Sequence, residues 1–280
     1  MYGTCINEGF IVGHGGCMKT VLYSPLSNVF FLLICLIYGS GFYLLVQSSI
    51  WGAFVLTLIL PVLFWPLIQP VDNSHEIKRI LLLETGFNLL CFLAVSQWIS
   101  LEYIDKALVF FFTLQASGFI LVQWKKRAYL SLCISVFLAL AIGFWINGST
   151  QTLLLDGGGV LIFGKSVPWQ LIVIYGVWLT QLLLVEYRHT LPKMTLVICH
   201  IASFSIAVGA DDFFYARIIT ASHLLFLSLC FNFKVREWGG KDFAIAESFS
   251  GYVTVARVQC GLSIVLLCVA AISFCGLIIM

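Results

Sequence analysis

Apolar runs of about twenty residues recur along the whole chain, and each is long enough to cross a membrane as a helix. A hydrocarbon core about 30 Å thick needs about twenty residues at a helical rise of about 1.5 Å per residue. Apolar residues make up 61% of the 280 residues and charged residues 10%, and the mean hydropathy is +1.03. A soluble domain would carry about a quarter charged residues. The sequence therefore predicts an all-α, polytopic transmembrane helix bundle.

Nine membrane spans are predicted in a single helical domain, residues 28–280, which follows an N-terminal extra-membrane segment, residues 1–27. This segment lacks the charged-then-apolar order of a signal peptide. Three successive glycines and Pro168 predict one irregular segment near residues 150–168. Such backbone survives at membrane depth only where protein or a polar cavity surrounds it. The spans are placed at residues 28–47, 51–69, 78–96, 99–122, 128–147, 169–187, 193–209, 214–233 and 255–279.

The lysines and arginines between the spans predict the orientation of the chain. When successive loops are assigned alternately to two sides, one side receives eleven of these cations and the other receives two, Lys106 and Lys165. The second side also receives the acids Asp156, Asp211 and Asp212. By the positive-inside rule, the side rich in cations faces the cytoplasm or the mitochondrial matrix.

Several ionisable side chains fall inside the predicted spans, where each costs on the order of 2.5–3.5 kcal/mol and therefore needs a partner, a cavity or a function. Side chains near the end of a span, such as Glu102 and Lys106, can extend to the membrane interface. For groups at least one turn inside a span, pairing between helices and a functional role are both open. A series of acid, base and imidazole groups on neighbouring helices is what a proton path requires. The candidate relay residues are Glu84, Glu102, Asp105, Lys193, His200 and His223.

The sequence predicts no metal, cofactor or nucleic-acid site in this chain. The five histidines are dispersed, whereas a membrane di-iron site would need clustered pairs; haem binding by two histidines on facing helices stays an alternative. Asp156–Gly159 is not interpreted as a phosphate-binding loop, although Gly164-Lys165-Ser166 follows it. No basic stripe alternates with exposed aromatic residues, as nucleic-acid binding would require. The ten cysteines include no C-x-x-C pair and are interpreted as small buried hydrophobes.

Four segments between residues 76 and 280 occur in the order found in one known family. They are EIKRILLLETGFNLLCFLAV, SQWISLEYIDKALVFFFTLQ, VEYRHTLPKMTLVICHIASFS and GKDFAIAESFSGYVTVARVQCGLSIVLLCVAAISFCGLIIM. They resemble the antiporter-like, proton-translocating subunits of the membrane arm of respiratory complex I, most closely subunit 2. The resemblance places Asp105, with Glu102 as the competing position, on the family's membrane-embedded glutamate. It places Lys193 on the buried lysine that relays protons, His223 near a further relay position, and Lys165 on a remnant of the family's broken helix.

This resemblance implies a shortened or split membrane-arm subunit of complex I or of a related redox-driven proton pump. The NADH, FMN, iron–sulfur clusters and ubiquinone of such an NADH:ubiquinone reductase would be held by partner subunits, and this chain would hold no cofactor and no redox site. Its partners would be other membrane-arm subunits and lipids, in the mitochondrial inner membrane or, alternatively, the bacterial cytoplasmic membrane. The competing hypotheses are a stand-alone transporter of ions or small molecules and an integral-membrane enzyme acting on lipid or quinone.

Overall fold

Helices account for nearly all of the structure, which confirms the predicted all-α bundle. The computed structural model describes residues 25–67, 74–156, 158–186, 194–230 and 255–279. Each of the nine predicted spans corresponds to a helical segment within those residues. The helices are α1 (Pro25–Ser48), α2 (Ile50–Phe54), α3 (Leu60–Phe64), α4 (Ser74–Ser96), α5 (Leu101–Lys125), α6 (Tyr129–Asn147), α7 (Trp169–Gln181), α8 (Met194–Val208), α9 (Phe213–Cys230) and α10 (Ala256–Ile279).

The second predicted span, residues 51–69, is not a uniform α-helix. A π-helical turn, Val55–Ile59, separates α2 from α3, and a 3-10 turn, Trp65–Leu67, follows α3. Pro61 has no N–H to donate to the carbonyl group of Thr57, four residues earlier, and this favours a local departure from α-helical hydrogen bonding. A second π-helical turn, Leu182–Glu186, extends α7.

The described helices expose many large apolar side chains, and several polar side chains are buried within their apolar core. Ile37 and Ile272 are 75% and 72% exposed, whereas Gln123 and Gln181 are each 1% exposed. Within the described residues, five helices are long and apolar enough to cross a membrane, and four shorter apolar helices accompany them. The pattern fits a bundle whose outer surface meets lipid and whose interior holds the polar groups.

The helices pack so that five of them line one interior space. α8 and α9 pack against each other and against α1, and α4 lies between α9 and α5. α5, α6 and α7 follow in order, and α10 packs against α6 and α7. The interior space is bounded by α4, α5, α6, α7 and α9.

The predicted irregular segment between α6 and α7 folds as a short β-hairpin at one end of the bundle. Its strands, β1 (Leu153–Leu154) and β2 (Val160–Leu161), pair antiparallel, and a 3-10 turn, Ile162–Gly164, follows β2. Gly158 has φ +80°, and a Cβ there would overlap the main-chain carbonyl oxygen of Gln47 in α1. Only glycine meets both conditions without strain. The hairpin is thus seated against protein, as irregular backbone in a membrane bundle must be.

The predicted N-terminal extra-membrane segment, residues 1–27, lies almost entirely outside the described residues. α1 begins at Pro25. The division into this segment and one helical domain, residues 28–280, stays a prediction.

Candidate functional site

Arg217 is a buried cation bound by neutral groups from two other helices. It lies on α9 and is only 4% exposed. Its Nε donates to the hydroxyl of Tyr175 on α7 (3.1 Å), and its Nη1 donates to Ser203 Oγ on α8 (2.5 Å). Its Nη2 lies 3.1 Å from Nδ1 of His200, also on α8. Since a guanidinium group can only donate, Nδ1 of His200 accepts this bond and carries no proton.

The hydroxyl groups beside Arg217 form one directed chain of hydrogen bonds. Thr220 Oγ1 donates to the carbonyl oxygen of Ala216, one turn earlier on α9 (2.7 Å). Its single proton is thereby used, so Ser203 Oγ, 2.7 Å away, donates to Thr220 Oγ1. Ser203 then accepts from Arg217. The guanidinium group is therefore fixed in position by a network in which the hydroxyl protons of Thr220 and Ser203 each have a defined acceptor.

Glu84 on α4 and Arg217 line the same cavity, which has a volume of about 70 Å³. Its other polar lining comes from Gln115, Ser135 and Tyr175, and the rest of its wall is apolar or aromatic. Among the described residues, no carboxylate lies within 4.0 Å of a nitrogen of Arg217. The carboxyl group and the guanidinium group therefore face one space without forming an ion pair. That space has room for more than one water molecule, since about 10–15 Å³ of such volume is enough for one.

His223 lies deeper along α9, on the far side of Thr220 from Arg217. Its Nε2 is 2.7 Å from the hydroxyl of Tyr38 on α1, and its ring stacks on Phe42 with centroids 3.7 Å apart. A small cavity of about 10 Å³ lies beside it, lined in part by Asn88 and Ser222. His223 lies six positions after Arg217, which corresponds to about 9 Å along a helix.

Asp212 lies at the opposite end of the same series of polar residues, in the turn before α9. It is buried, accepts a hydrogen bond from Tyr43 of α1 and lies 3.4 Å from Nε2 of Gln47. Burial raises the pKa of Asp212, against the opposing effect of the hydrogen bonds from Tyr43, from Gln47 and from the main chain of Val160. This carboxyl group connects α1, the hairpin and the start of α9.

The two acids at the start of α5 occupy different surroundings, although their spacing of three residues places them on one helix face. Glu102 forms an ion pair with Lys106 (2.7 Å), and both side chains are 67% exposed. Asp105 accepts hydrogen bonds from the main-chain N–H of Thr152 (3.1 Å) and from its hydroxyl (2.5 Å). Glu102 therefore lies at the surface, and Asp105 binds the hairpin.

The other predicted relay residues are only partly brought together. His200 contacts Arg217 directly, and Glu84 shares its cavity. Lys165 is partly buried before α7, beside Gly148 at the end of α6. Lys193 lies outside the described residues, so its predicted place in a polar line with Asp105 stays a prediction.

From the sequence, no role was assigned to Arg217, the residue at the centre of this site. Arg217 was visible as a lone cation inside a predicted span, which is itself the signal for a functional residue. Its partners Tyr175 and Ser203 carry no such signal, because single hydroxyl groups are common in transmembrane helices. Within the described part of the chain, no group of three or more His, Cys, Asp or Glu side chains is placed to hold a metal ion.

No protein-family model, curated protein or solved structure matches this chain. The resemblance to membrane-arm subunits of respiratory complex I therefore stays a prediction.

Proposed function

We propose that this chain is a membrane-spanning protein that transfers protons through its interior, and that Glu84 holds the proton in the cavity it shares with Arg217. One observation carries the proposal. A carboxyl group and a buried guanidinium group line a water-sized cavity inside an apolar bundle without forming an ion pair. Ionisable groups inside a bundle of this kind mark ion and proton pathways.

The two charged groups have different chemistry, and the difference defines their roles. Arg217 cannot lose its proton in a protein, so it supplies a fixed positive charge. Glu84 can bind and release a proton. With Glu84 ionised the pair has no net charge, and with Glu84 protonated it has a charge of +1. Proton binding at Glu84 is therefore coupled to the field of Arg217, which also opposes the entry of other cations.

Further along α9, His223 is the next group that can accept a proton. The cavity of about 10 Å³ beside it has room for about one water molecule. Asn88 and Ser222 line this cavity and are joined by a hydrogen bond of 2.9 Å. The proposed order of transfer is between the Glu84 cavity and His223, along the interior face of α9.

Glu84→Gln tests the proposal most directly. The purified protein is reconstituted in vesicles containing a pH-sensitive dye, and a potassium gradient with valinomycin drives proton entry. We expect Glu84→Gln to lower proton flux by about a hundredfold or more, the lower range for loss of a positioned proton-transfer group. Glu102→Gln makes the same chemical change in the exposed ion pair and should leave flux within about twofold, since surface pairs contribute little. Equal flux in Glu84→Gln and the unsubstituted protein would show that Glu84 is not the proton carrier.

The more specific form of this proposal is a proton-translocating subunit of respiratory complex I or of a related redox-driven pump. It is supported by the resemblance of residues 76–280, and it places the chain in the mitochondrial inner membrane or a bacterial cytoplasmic membrane. A stand-alone proton transporter is the second candidate. It is favoured by the cavity, whose walls come from five helices of this one chain.

A further inference from the structure

Four aromatic side chains form a layer between the hairpin and the cavity. Phe112 and Phe214 line the cavity, and their ring centroids are 5.3 Å apart. Phe163 of the hairpin lies 6.3 Å from Phe112 and 5.5 Å from Trp145, and Trp145 lies 5.2 Å from Phe214. The hairpin thus contributes one ring to the layer that covers this end of the cavity.

Phe163 is held in that layer through Thr152 and Asp105. The main-chain N–H of Phe163 donates to Thr152 Oγ1 (2.9 Å), and Thr152 Oγ1 donates to Asp105 Oδ1 (2.5 Å). The main-chain N–H of Thr152 donates to the second carboxylate oxygen (3.1 Å). Phe163 has φ 57°, a left-handed conformation that is uncommon for a bulky residue and persists only where surrounding contacts impose it.

Asp212 holds the other strand of the hairpin. The main chain of Val160 donates a hydrogen bond to its carboxyl group. A Cβ added to Gly159 would lie 2.6 Å from Asp212 Oδ2 and 2.9 Å from Gln47 Nε2. Two carboxyl groups, one on α5 and one in the turn before α9, therefore bind the two sides of one hairpin.

We propose that Asp105 is a positioning residue: acting through Thr152, it holds Phe163 in the aromatic layer and so keeps the hairpin end of the cavity closed to water and ions. The role differs from that of a relay group, because Asp105 is occupied by two hydrogen bonds from the hairpin. The inference rests on the proposed function only where it assigns proton transfer to the cavity. The closure itself rests on the contacts of the hairpin.

Accessibility of the cavity wall tests this role. Ala116 lines the cavity, and Ala116→Cys places a thiol there. The purified protein in mild detergent is treated with a positively charged methanethiosulfonate reagent, and modification of residue 116 is followed by peptide mass spectrometry, which distinguishes it from the native cysteines. We expect Thr152→Val, which keeps the shape and removes the hydroxyl, to raise the labelling rate by about tenfold, the factor for loss of one or two buried hydrogen bonds.

Matched variants separate this role from general loosening of the structure. Thr152→Ser keeps the hydroxyl and should label within about twofold of the parent. Asp156→Asn removes an exposed acid at the tip of the same hairpin and should also leave labelling unchanged. If Thr152→Val does not fold, Asp105→Asn takes its place and should raise labelling as well. Unchanged labelling in the folded variant, or an equal rise in Thr152→Ser, overturns the proposal.

The result is independent of proton transfer. If Thr152→Val raises labelling but Glu84→Gln does not change proton flux, the closing role of the hairpin is supported and the proposed function is rejected. A flux that depends on Glu84 together with labelling insensitive to Thr152 would do the opposite.

Discussion

Arg217 shows how one side chain can join three helices without a counter-ion in contact. Its planar group donates in three directions, to Tyr175, Ser203 and His200, and lies 5.7 Å from the centroid of the Tyr175 ring. Neutral acceptors lower the cost of burying the charge but do not cancel it. The remaining positive charge is what the carboxyl group across the cavity experiences.

Arg217→Lys separates charge from geometry. An ammonium group keeps the charge but donates from a single atom, whereas the guanidinium group donates from three separate nitrogens. Because at least one buried acceptor loses its donor, we expect the variant to be less stable by roughly 1–3 kcal/mol, measured as a lower midpoint of thermal unfolding in detergent. Arg257→Lys, at an exposed position near the start of α10, is the control and should change stability by less than about 0.5 kcal/mol. Equal effects of the two substitutions would contradict the role of the guanidinium geometry.

Asp212 gives a prediction about pH. Burial raises its pKa, so the folded protein keeps this proton to a higher pH than the unfolded chain, where the pKa is about 3.9. Its contribution to stability is therefore fully present below about pH 3.9 and is lost as the pH rises through the raised value. We expect Asp212→Asn to remove this loss, so that the unfolding midpoint falls less between pH 4 and pH 7 than in the unsubstituted protein. Asp156→Asn should leave the pH dependence of the unfolding midpoint unchanged. The same pH dependence in all three proteins would refute the raised pKa of Asp212.

At the scale of single residues, the sequence identified which groups are unusual but not what they contact. Rarity of charge in apolar runs indicated Glu84, His200 and His223, and all three are in polar contacts or line a cavity. The family resemblance treated Glu102 and Asp105 as alternatives for one role. They differ because Asp105 lies where the hairpin can reach it and Glu102 lies one turn nearer solvent, a distinction that only the path of the chain determines.

At the scale of elements, the helices were largely predictable and the hairpin was not. Continuous apolar runs of membrane length have one solution for their main-chain hydrogen bonds, so each predicted span corresponds to a helical segment. The π-helical turn Val55–Ile59 depends on a single proline and on packing. It was not predicted, because the apolar sequence around it is the same as that of a regular α-helix. β1 and β2 are two residues each, too short to carry an alternating pattern, although the glycines correctly indicated irregular backbone.

Gly158→Ala tests how firmly the hairpin is seated. The φ of +80° and the overlap of a Cβ with the carbonyl oxygen of Gln47 both oppose any larger residue, and a left-handed non-glycine residue costs on the order of 1–3 kcal/mol. We expect a lower unfolding midpoint. Gly118→Ala, within α5, meets no atom within 4 Å and should be neutral or stabilising by about 0.5–1 kcal/mol, because alanine favours helix. A neutral Gly158→Ala would mean that the hairpin is not held against α1 as described.

At the scale of the whole molecule, polar groups are arranged along α9 from one end of the bundle towards the other. Asp212 precedes the helix, and Arg217, Thr220 and His223 follow on it, over eleven residues or about 16 Å. Their partners come from α1, α7 and α8, and the cavity at Arg217 adds α4, α5 and α6. The described part of this path runs along a helix axis within one chain.

The second candidate, a stand-alone transporter, predicts that the isolated chain transfers protons without partners. Under that candidate, protein purified in mild detergent should run as a monomer or small oligomer, and vesicles containing it alone should show the Glu84-dependent flux, because every group proposed to carry the proton belongs to this chain. A subunit of a redox-driven pump would instead co-migrate with an assembly of several hundred kilodaltons that has NADH dehydrogenase activity, and would lose its flux on separation. Native gel migration combined with flux before and after separation decides between them. Co-migration with loss of flux would reject the stand-alone transporter and favour the membrane-arm subunit, because the driving force would then lie in redox centres outside this chain.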